Sequence, residues 1–288
     1  RALGEACGHL VGDLDRAIAA AARLCREHRD TPMAGRTHGR QGLPITFGFK
    51  VAGWLAELRR HRRRFDEVAA RMGTGQLCGG VGSLSALGPH GLEVQRVFCE
   101  RLGLRPPATS WTASRDVVVE WAHLLVLAAG TADRIGHEVY GLQRDEIGEV
   151  SEGAAVAQIG SITMPHKRNP ELSEHLGTLS RVVRANAAAL AESLPHEHER
   201  DGRAWKIEWH AVPELTMAAG KAMDLMAQLI DNLEVHGERM RRNLEASGGQ
   251  VYSEAVMLAL AARVGKQTAH ALVHRVAGEA AADGRPFR

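Results

Sequence analysis

The sequence predicts an all-α protein built as a bundle of long helices, and three observations carry that reading. Apolar residues recur at alternating spacings of three and four along several long segments. Aromatic residues make up only 4 % of the 288 positions and β-branched runs are short, so little favours sheet. Alanine, leucine, arginine and glutamate dominate, as long helices require. Helices of this kind pack near-parallel. They are longer than one small domain needs, so self-association is expected.

The first helix carries its seam on Leu3, Cys7, Leu10, Leu14, Ala17, Ala21 and Leu24, and should stop near His28-Arg29-Asp30, before Thr31-Pro32. The glycine-rich stretch TPMAGRTHGRQGLP, bounded by prolines, reads as a loop. A second helix begins near Thr46 and buries Phe47, Val51, Trp54, Leu58, Phe65, Val68 and Met72. Its outward face carries Arg59, Arg60, Arg62, Arg63 and Arg64, read as a solvated face rather than a docking patch. The connector QLCGGVGSLSALGPH leads to a shorter helix near Leu92–Leu102. A long helix from about Ser114 follows, with Val118, Trp121, Leu125, Ala128, Ala132, Ile135, Val139 and Leu142 on one stripe. After Pro170 another helix runs through Leu172, Leu176, Leu179, Val183, Ala187, Leu190 and Leu194. The last long helix carries Leu215, Ala219, Ala222, Met226, Leu229, Leu233 and Met240. A break at Ser247-Gly248-Gly249 then precedes a short helical pair, Ser253–Arg263 and Lys266–Ala281.

Charge and composition exclude several classes of function. A net charge of +2 leaves no nucleic-acid footprint. No apolar run approaches the roughly 20 residues that span a membrane, and no signal peptide opens the chain. Cys7, Cys25, Cys78 and Cys99 lack metal-type spacing and read as buried thiols of a reduced, cytoplasmic protein. The chain opens on Arg1 without a methionine and reads as an internal stretch of a longer protein.

Chemistry concentrates in two polar stretches. Gly160 to Pro170, GSITMPHKRNP, has prolines that bar a helix and a glycine that frees the backbone. Its serine, lysine, arginine, asparagine and histidine suit an anionic substrate. The other stretch contains Gly35-Arg36-Thr37-His38-Gly39, where an accessible histidine can titrate near neutral pH. Taken alone, Ser161 also reads as a turn cap and His38 as a surface residue.

GSITMPHKRNP resembles the signature loop of the fumarase/aspartase superfamily, roughly G-S-x-x-M-P-x-K-x-N-P, at every fixed position. THGRQGLPITFG is similar to that superfamily's T-H-G-Q-x-x-x-P-T-T-F-G, matching at Thr37, His38, Gly39, Pro44, Thr46, Phe47 and Gly48. The resemblance covers essentially the whole chain. It implies an L-aspartase-like five-helix central domain over residues 1–247, the start of a small helical C-terminal domain over 248–288, and an N-terminal domain upstream. It further implies a homotetramer with a twenty-helix core, whose active sites combine loops from different subunits. No cofactor and no catalytic metal are implied; His196-Glu197-His198-Glu199 lacks HExxH spacing.

By the same resemblance, Ser161 is the base that abstracts the proton alpha to a substrate carboxylate. A serine hydroxyl serves so only where backbone donors and a cation stabilise its oxyanion. Lys167 and Asn169 would hold that carboxylate, Met164 would close the pocket, Gln158 would reach the substrate, and His166 is left without a firm role. Thr37 would bind a carboxylate, and His38 would act as general acid or orient the group that does. Arg40 departs from the usual glutamine. Either the substrate carries an extra anionic or nitro-type group there, or Arg40 pairs with a protein carboxylate. Glu149 and Glu152 read as structural, and Gly79–Ser83 is a weak match to a G-x-x-G-T element.

The connector HERDGRAWKIEWHAVPE is similar to adenylosuccinate lyase and, more closely, to 3-carboxy-cis,cis-muconate cycloisomerase. Apolar Trp205 and Trp209 argue against a nucleotide substrate. The implied function is a lyase performing anti β-elimination, most simply of the C–N type, on an N-substituted aspartate or nitrosuccinate-like dicarboxylate, with release of fumarate. The alternatives are the cycloisomerase, adenylosuccinate lyase and a catalytically silent structural homologue.

Overall fold

The computed structural model describes residues 2–153, 164 and 167–287. Five long helices follow the five seams: α1 (Ala2–Glu27), α2 (Phe47–Met72), α4 (Asp116–Gln143), α5 (Glu171–Ala191) and α7 (Ile207–Asp231). Between α1 and α2 lie strands β1 (Pro32–Thr37) and β2 (Arg40–Thr46), and α3 (Gly91–Arg101) precedes α4. The short strands β3 (Val150–Ser151) and β4 (Glu234–Val235) pair antiparallel. A short α6 (Gly202–Trp205) precedes α7, and α8 (Gly237–Glu245), α9 (Ser253–Val264) and α10 (Lys266–Ala282) complete the chain.

Packing divides the chain into two compact units. One comprises Arg1–Ala20, Leu55–Tyr140 and Ala154–Asn232; the other comprises Ala21–Trp54, Gly141–Gly153 and Leu233–Arg288. The first holds most of the bundle, with α5 packed along α7. Its core takes the seam residues Leu10, Leu14, Leu58, Phe65, Trp121, Leu125, Leu176 and Leu215, all fully buried or nearly so. Phe65 and Trp121 meet edge to face at 6.0 Å. Between the start of α4 and the start of α7, the buried Arg115 forks onto Glu208 with two bonds of 2.6 Å.

Several expectations differ from the structure. α5 ends at Ala191, so Leu194, 46% exposed, lies beyond its seam, and Cys25 is only half-buried. The stretch 31–44 is not an irregular loop but the β1–β2 hairpin. The last seam does not continue unbroken to Met240. The helix ends at Asp231, and the next residues turn into β4 to pair with β3 before α8 begins. Leu233 and Met240 stay buried, which is why the periodicity runs on past the break.

The arginine face of α2 is partly engaged. Arg64 Nη1 donates to His61 Nδ1 at 3.1 Å. His61 Nε2–H then donates to Thr131 Oγ1 at 2.7 Å, and the threonine hydroxyl donates to Glu57 Oε1 at 2.6 Å. Arg134 closes the chain on the same carboxylate. Burial pushes the Glu57 carboxyl up, but Thr131 and Arg134 outweigh it and hold the group below its usual range. Burial, then Arg64, lowers the His61 pKa to about 4.

The unfolded chain takes up a proton at His61 near pH 6.5, whereas the folded chain does so only near pH 4. The folded state therefore has its full advantage above about pH 6.5 and loses it progressively as the pH falls towards 4, by roughly 3 kcal/mol in all. Urea unfolding at neutral pH and at about pH 5 is expected to show a loss of roughly 2 kcal/mol that His61→Gln abolishes. An unchanged pH dependence in His61→Gln would assign the loss to other groups.

Candidate active site

The hairpin owes its shape to a few residues at defined positions. β1 and β2 are joined by the two-residue turn His38-Gly39, with Thr37 opposite Arg40. Both turn residues have positive φ, 51° and 73°, which is the type I′ geometry that matches strand twist. Non-glycine residues are uncommon in that region, histidine being among those that tolerate it, and glycine is a natural occupant. The register slips between Ala34 and Arg36, where Gly42 and Leu43 of β2 bulge opposite the single residue Gly35. At the foot of the hairpin, Gly48 opens α2 against the end of α1. A Cβ there would stand 2.7 Å from the Cys25 carbonyl oxygen and 2.8 Å from that of His28. Met33 and Ala34 are buried, Ala34 against Leu244 and Val251.

At the tip, Thr37, His38, Gly39 and Arg40 are all exposed, so the structure brings three expected site residues together on one turn. Among the described residues Arg40 has no carboxylate partner, unlike its neighbour Arg36. Arg36 Nη1 and Nη2 donate to the two oxygens of Glu149 at 2.8 and 2.6 Å. Asn243 Nδ2 adds a bond of 2.8 Å to Glu149 Oε1 and another of 2.8 Å to the Ile147 carbonyl. Gln41, opposite Arg36 across the hairpin, donates to the Asn243 carbonyl at 3.1 Å. Sequence reasoning gave Glu149 a structural role and passed over Arg36, Gln41 and Asn243. The only signal for Arg36 is its place two residues before His38.

The signature loop belongs to the other unit. Its described residues are Met164 and Lys167–Pro170, with Met164, Lys167 and Arg168 exposed and Asn169 half-buried. Lys167 N–H donates to the Met164 carbonyl at 2.9 Å, and Pro170 leads directly into α5. Gln158, Ser161 and His166 lie outside the described residues.

Elsewhere in that unit, Arg200 Nη2 donates to the Gly79 carbonyl at 3.1 Å, tying the HER stretch to the glycine-rich element. Within that element Gly82 has φ 89°, and a Cβ on it would meet Ser110 at 2.6 Å. Trp205 and Trp209 stack edge to face at 5.4 Å. In the HEHE run, Glu197 pairs with Arg203 at 3.0 Å and His196 Nδ1 contacts the Ser193 carbonyl at 2.9 Å. No cluster of three or more metal-type ligands occurs among the described residues. A largely apolar cavity of about 800 Å³, lined by residues such as Leu3, Cys7, Met72, Leu104, Val117 and Trp121, contains none of the expected site residues.

Chemically, the hairpin tip offers an imidazole beside an uncommitted guanidinium, and the signature loop offers an ammonium and an amide. Side chains of these types can bind carboxylates and move a proton.

Several known proteins are similar to this chain. A family model described as "Lyase" matches residues 2–185. An N-acetyl-S-(2-succino)cysteine lyase of Enterococcus italicus is 41% identical over 285 residues, covering 99% of this chain and 63% of that protein. A 3-carboxy-cis,cis-muconate cycloisomerase of Pseudomonas aeruginosa is 40% identical over 286 residues, covering 99% and 62%. Among solved structures, a fumarate lyase from Mesorhizobium sp. BNC1 superposes with a TM-score of 0.91 at 34% identity, over 98% of this chain and 63% of that one. The chain thus spans somewhat under two thirds of the length of the relatives it matches. With the family match running from α1 well into α5, both polar stretches included, this chain belongs to the fumarase/aspartase superfamily of lyases.

Proposed function

We propose that the protein catalyses anti β-elimination from a succinyl-type dicarboxylate, releasing fumarate, and that its leaving group carries an anion of its own. The observation that carries the second part is Arg40: exposed at the hairpin tip, two residues from His38, and with no carboxylate partner among the described residues. A guanidinium held free beside the acid suits a carboxylate on the departing fragment. The similarity to succinocysteine lyases supports this reading and extends the leaving atom from nitrogen to sulfur, since a cysteine-derived fragment bears a carboxylate.

In this mechanism Ser161 takes the proton alpha to the retained carboxylate. The C–H electron pair forms the new double bond, the bond to the heteroatom breaks, and His38 protonates the departing atom. Lys167 and Asn169 hold the carboxylate through its aci form, in which the extra charge lies on oxygen. Thr37, Gln158 and Met164 complete the binding shell. Neither a cofactor nor a metal has a part in these steps.

Assembly as a homotetramer with shared sites belongs to the same proposal. It is supported by large apolar side chains left uncovered on the long helices: Leu127 on α4, Val182 on α5, and Trp209 and Met217 on α7, the last two each 62% exposed. Among the described residues no helix is long and apolar enough to cross a membrane. Buried free thiols at Cys7, Cys78 and Cys99 suit the cytoplasm.

A panel tests the function: the thioether of N-acetylcysteine with C2 of succinate, an N-(1,2-dicarboxyethyl) amino acid, the same thioether of an uncharged thiol, adenylosuccinate and carboxymuconate, each followed by fumarate release or lactone formation. Fastest release from the thioether or amine bearing a carboxylate is expected. Arg40→Gln should then cut the preference for the charged over the uncharged leaving group by about tenfold, the scale of one charge-assisted contact. Lactonisation of carboxymuconate without fumarate release from any substrate would instead identify a cycloisomerase.

A further inference from the structure

We propose that Glu149 is a positioning residue for this reaction: its buried carboxylate fixes the hairpin tip and thereby aims His38 at the departing atom. The inference rests on the acid role proposed for His38.

An isolated two-stranded hairpin is marginally stable, so a tip that must hold a catalytic geometry needs support from outside itself. Apolar packing supplies none near the turn, where Thr37, His38, Gly39, Arg40 and Gln41 are all exposed. The buried contacts lie lower, at Met33 and Ala34. Support near the tip comes from the cross-strand pair Arg36 and Gln41, the last rung but one before the turn. Both members are tied to the same place. Arg36 forks onto Glu149, and Gln41 bonds the carbonyl of Asn243, whose side chain bonds Glu149 as well.

The receiving end of this clamp is fixed. Glu149 N–H donates to the Leu142 carbonyl at 2.9 Å, and its carbonyl accepts from His236 N–H at 3.0 Å. Its side chain is 0% exposed and that of Arg36 17%, so water and salt loosen the fork little. Two parallel bonds between planar groups restrict direction as well as distance, which a single lysine contact does not. Proton delivery is sensitive to this, because a displacement of about 1 Å of a reacting group costs up to roughly a hundredfold.

The clamp and the apolar foot are separate supports, so aim and folding can be separated by experiment. In the intact enzyme, kcat, KM and the thermal midpoint are measured with an amine-leaving substrate for Glu149→Gln, Arg36→Lys and the double variant Arg36→Met/Glu149→Leu. Each is expected to lower kcat by about tenfold or more while KM changes by less than about threefold. The double variant removes both buried charges, so its thermal midpoint should recover relative to Glu149→Gln while kcat stays low. Recovery of kcat together with stability would show a merely structural ion pair and overturn the proposal. If the double variant does not fold, Arg36→Lys decides, and a normal kcat there overturns it. His38→Asn is measured beside them. Full activity in His38→Asn defeats the acid assignment and this inference with it. Lost activity in His38→Asn with normal kcat in the clamp variants defeats this inference alone.

Discussion

Replacing Ser161 with alanine is expected to lower kcat by at least about a hundredfold while substrate binding survives. The carbon acid to be deprotonated is far weaker than any side chain in the sequence. Removing its proton calls for a strong base and for stabilisation of the charge left on the carboxylate. A serine oxyanion is strong enough, and it persists only where fixed donors and a cation replace water. Gly160 and the residues that follow carry backbone N–H groups, and Lys167 a charge, within the same short stretch of sequence. The contacts proposed for Lys167 and Asn169 to the carboxylate would remain in the variant, so a calorimetric titration should find the dissociation constant little changed. A near-normal kcat would move the base to another residue, with His38 the first candidate.

The second large effect concerns His38 and depends on what departs. His38→Asn is the variant of choice, because asparagine accepts the left-handed turn conformation. An amine cannot leave as its anion and must be protonated in the same step, so kcat for an N-substituted aspartate should fall by about a hundredfold or more. A thiol, with a pKa of about 8.5, leaves as the thiolate at modest cost. The loss for the succinyl thioether should therefore stay within about tenfold. Equal losses on both substrates would show that His38 positions the substrate and does not donate the proton.

The five long helices were legible because their evidence is local. Leu10, Leu14, Ala17, Ala21 and Leu24 repeat within one segment, and the structure buries each of them. The hairpin was not legible, because its evidence is remote. Pro32, Gly35, Gly42 and Pro44 break the alternation that marks a strand, and the surface on which Ala34 rests comes from Leu244 and Val251, about two hundred residues away. The end of α7 was missed for a related reason: Val235 leaves the helix to pair with Val150, a partner no periodicity records. The same contrast divides the site. Residues within the two motifs could be named one by one from the resemblance, whereas Arg36, Glu149 and Asn243 are joined across more than ninety positions by side-chain geometry alone.

The turn at His38-Gly39 has an evolutionary corollary. A histidine at φ 51° occupies a conformation that asparagine or glycine adopts at lower cost, and Asn-Gly is the pair such a turn prefers. Selection for stability alone would therefore erode His38, and it would do so through a single conservative exchange that leaves the hairpin intact. On the acid role proposed for His38, the strain at this residue, of order 1 kcal/mol, would be kept only while the chemistry requires an imidazole. Loss of the acid and retention of the fold are then one substitution apart. A lineage can thus drift between proton-assisted elimination and reactions with self-sufficient leaving groups without passing through an unfolded intermediate.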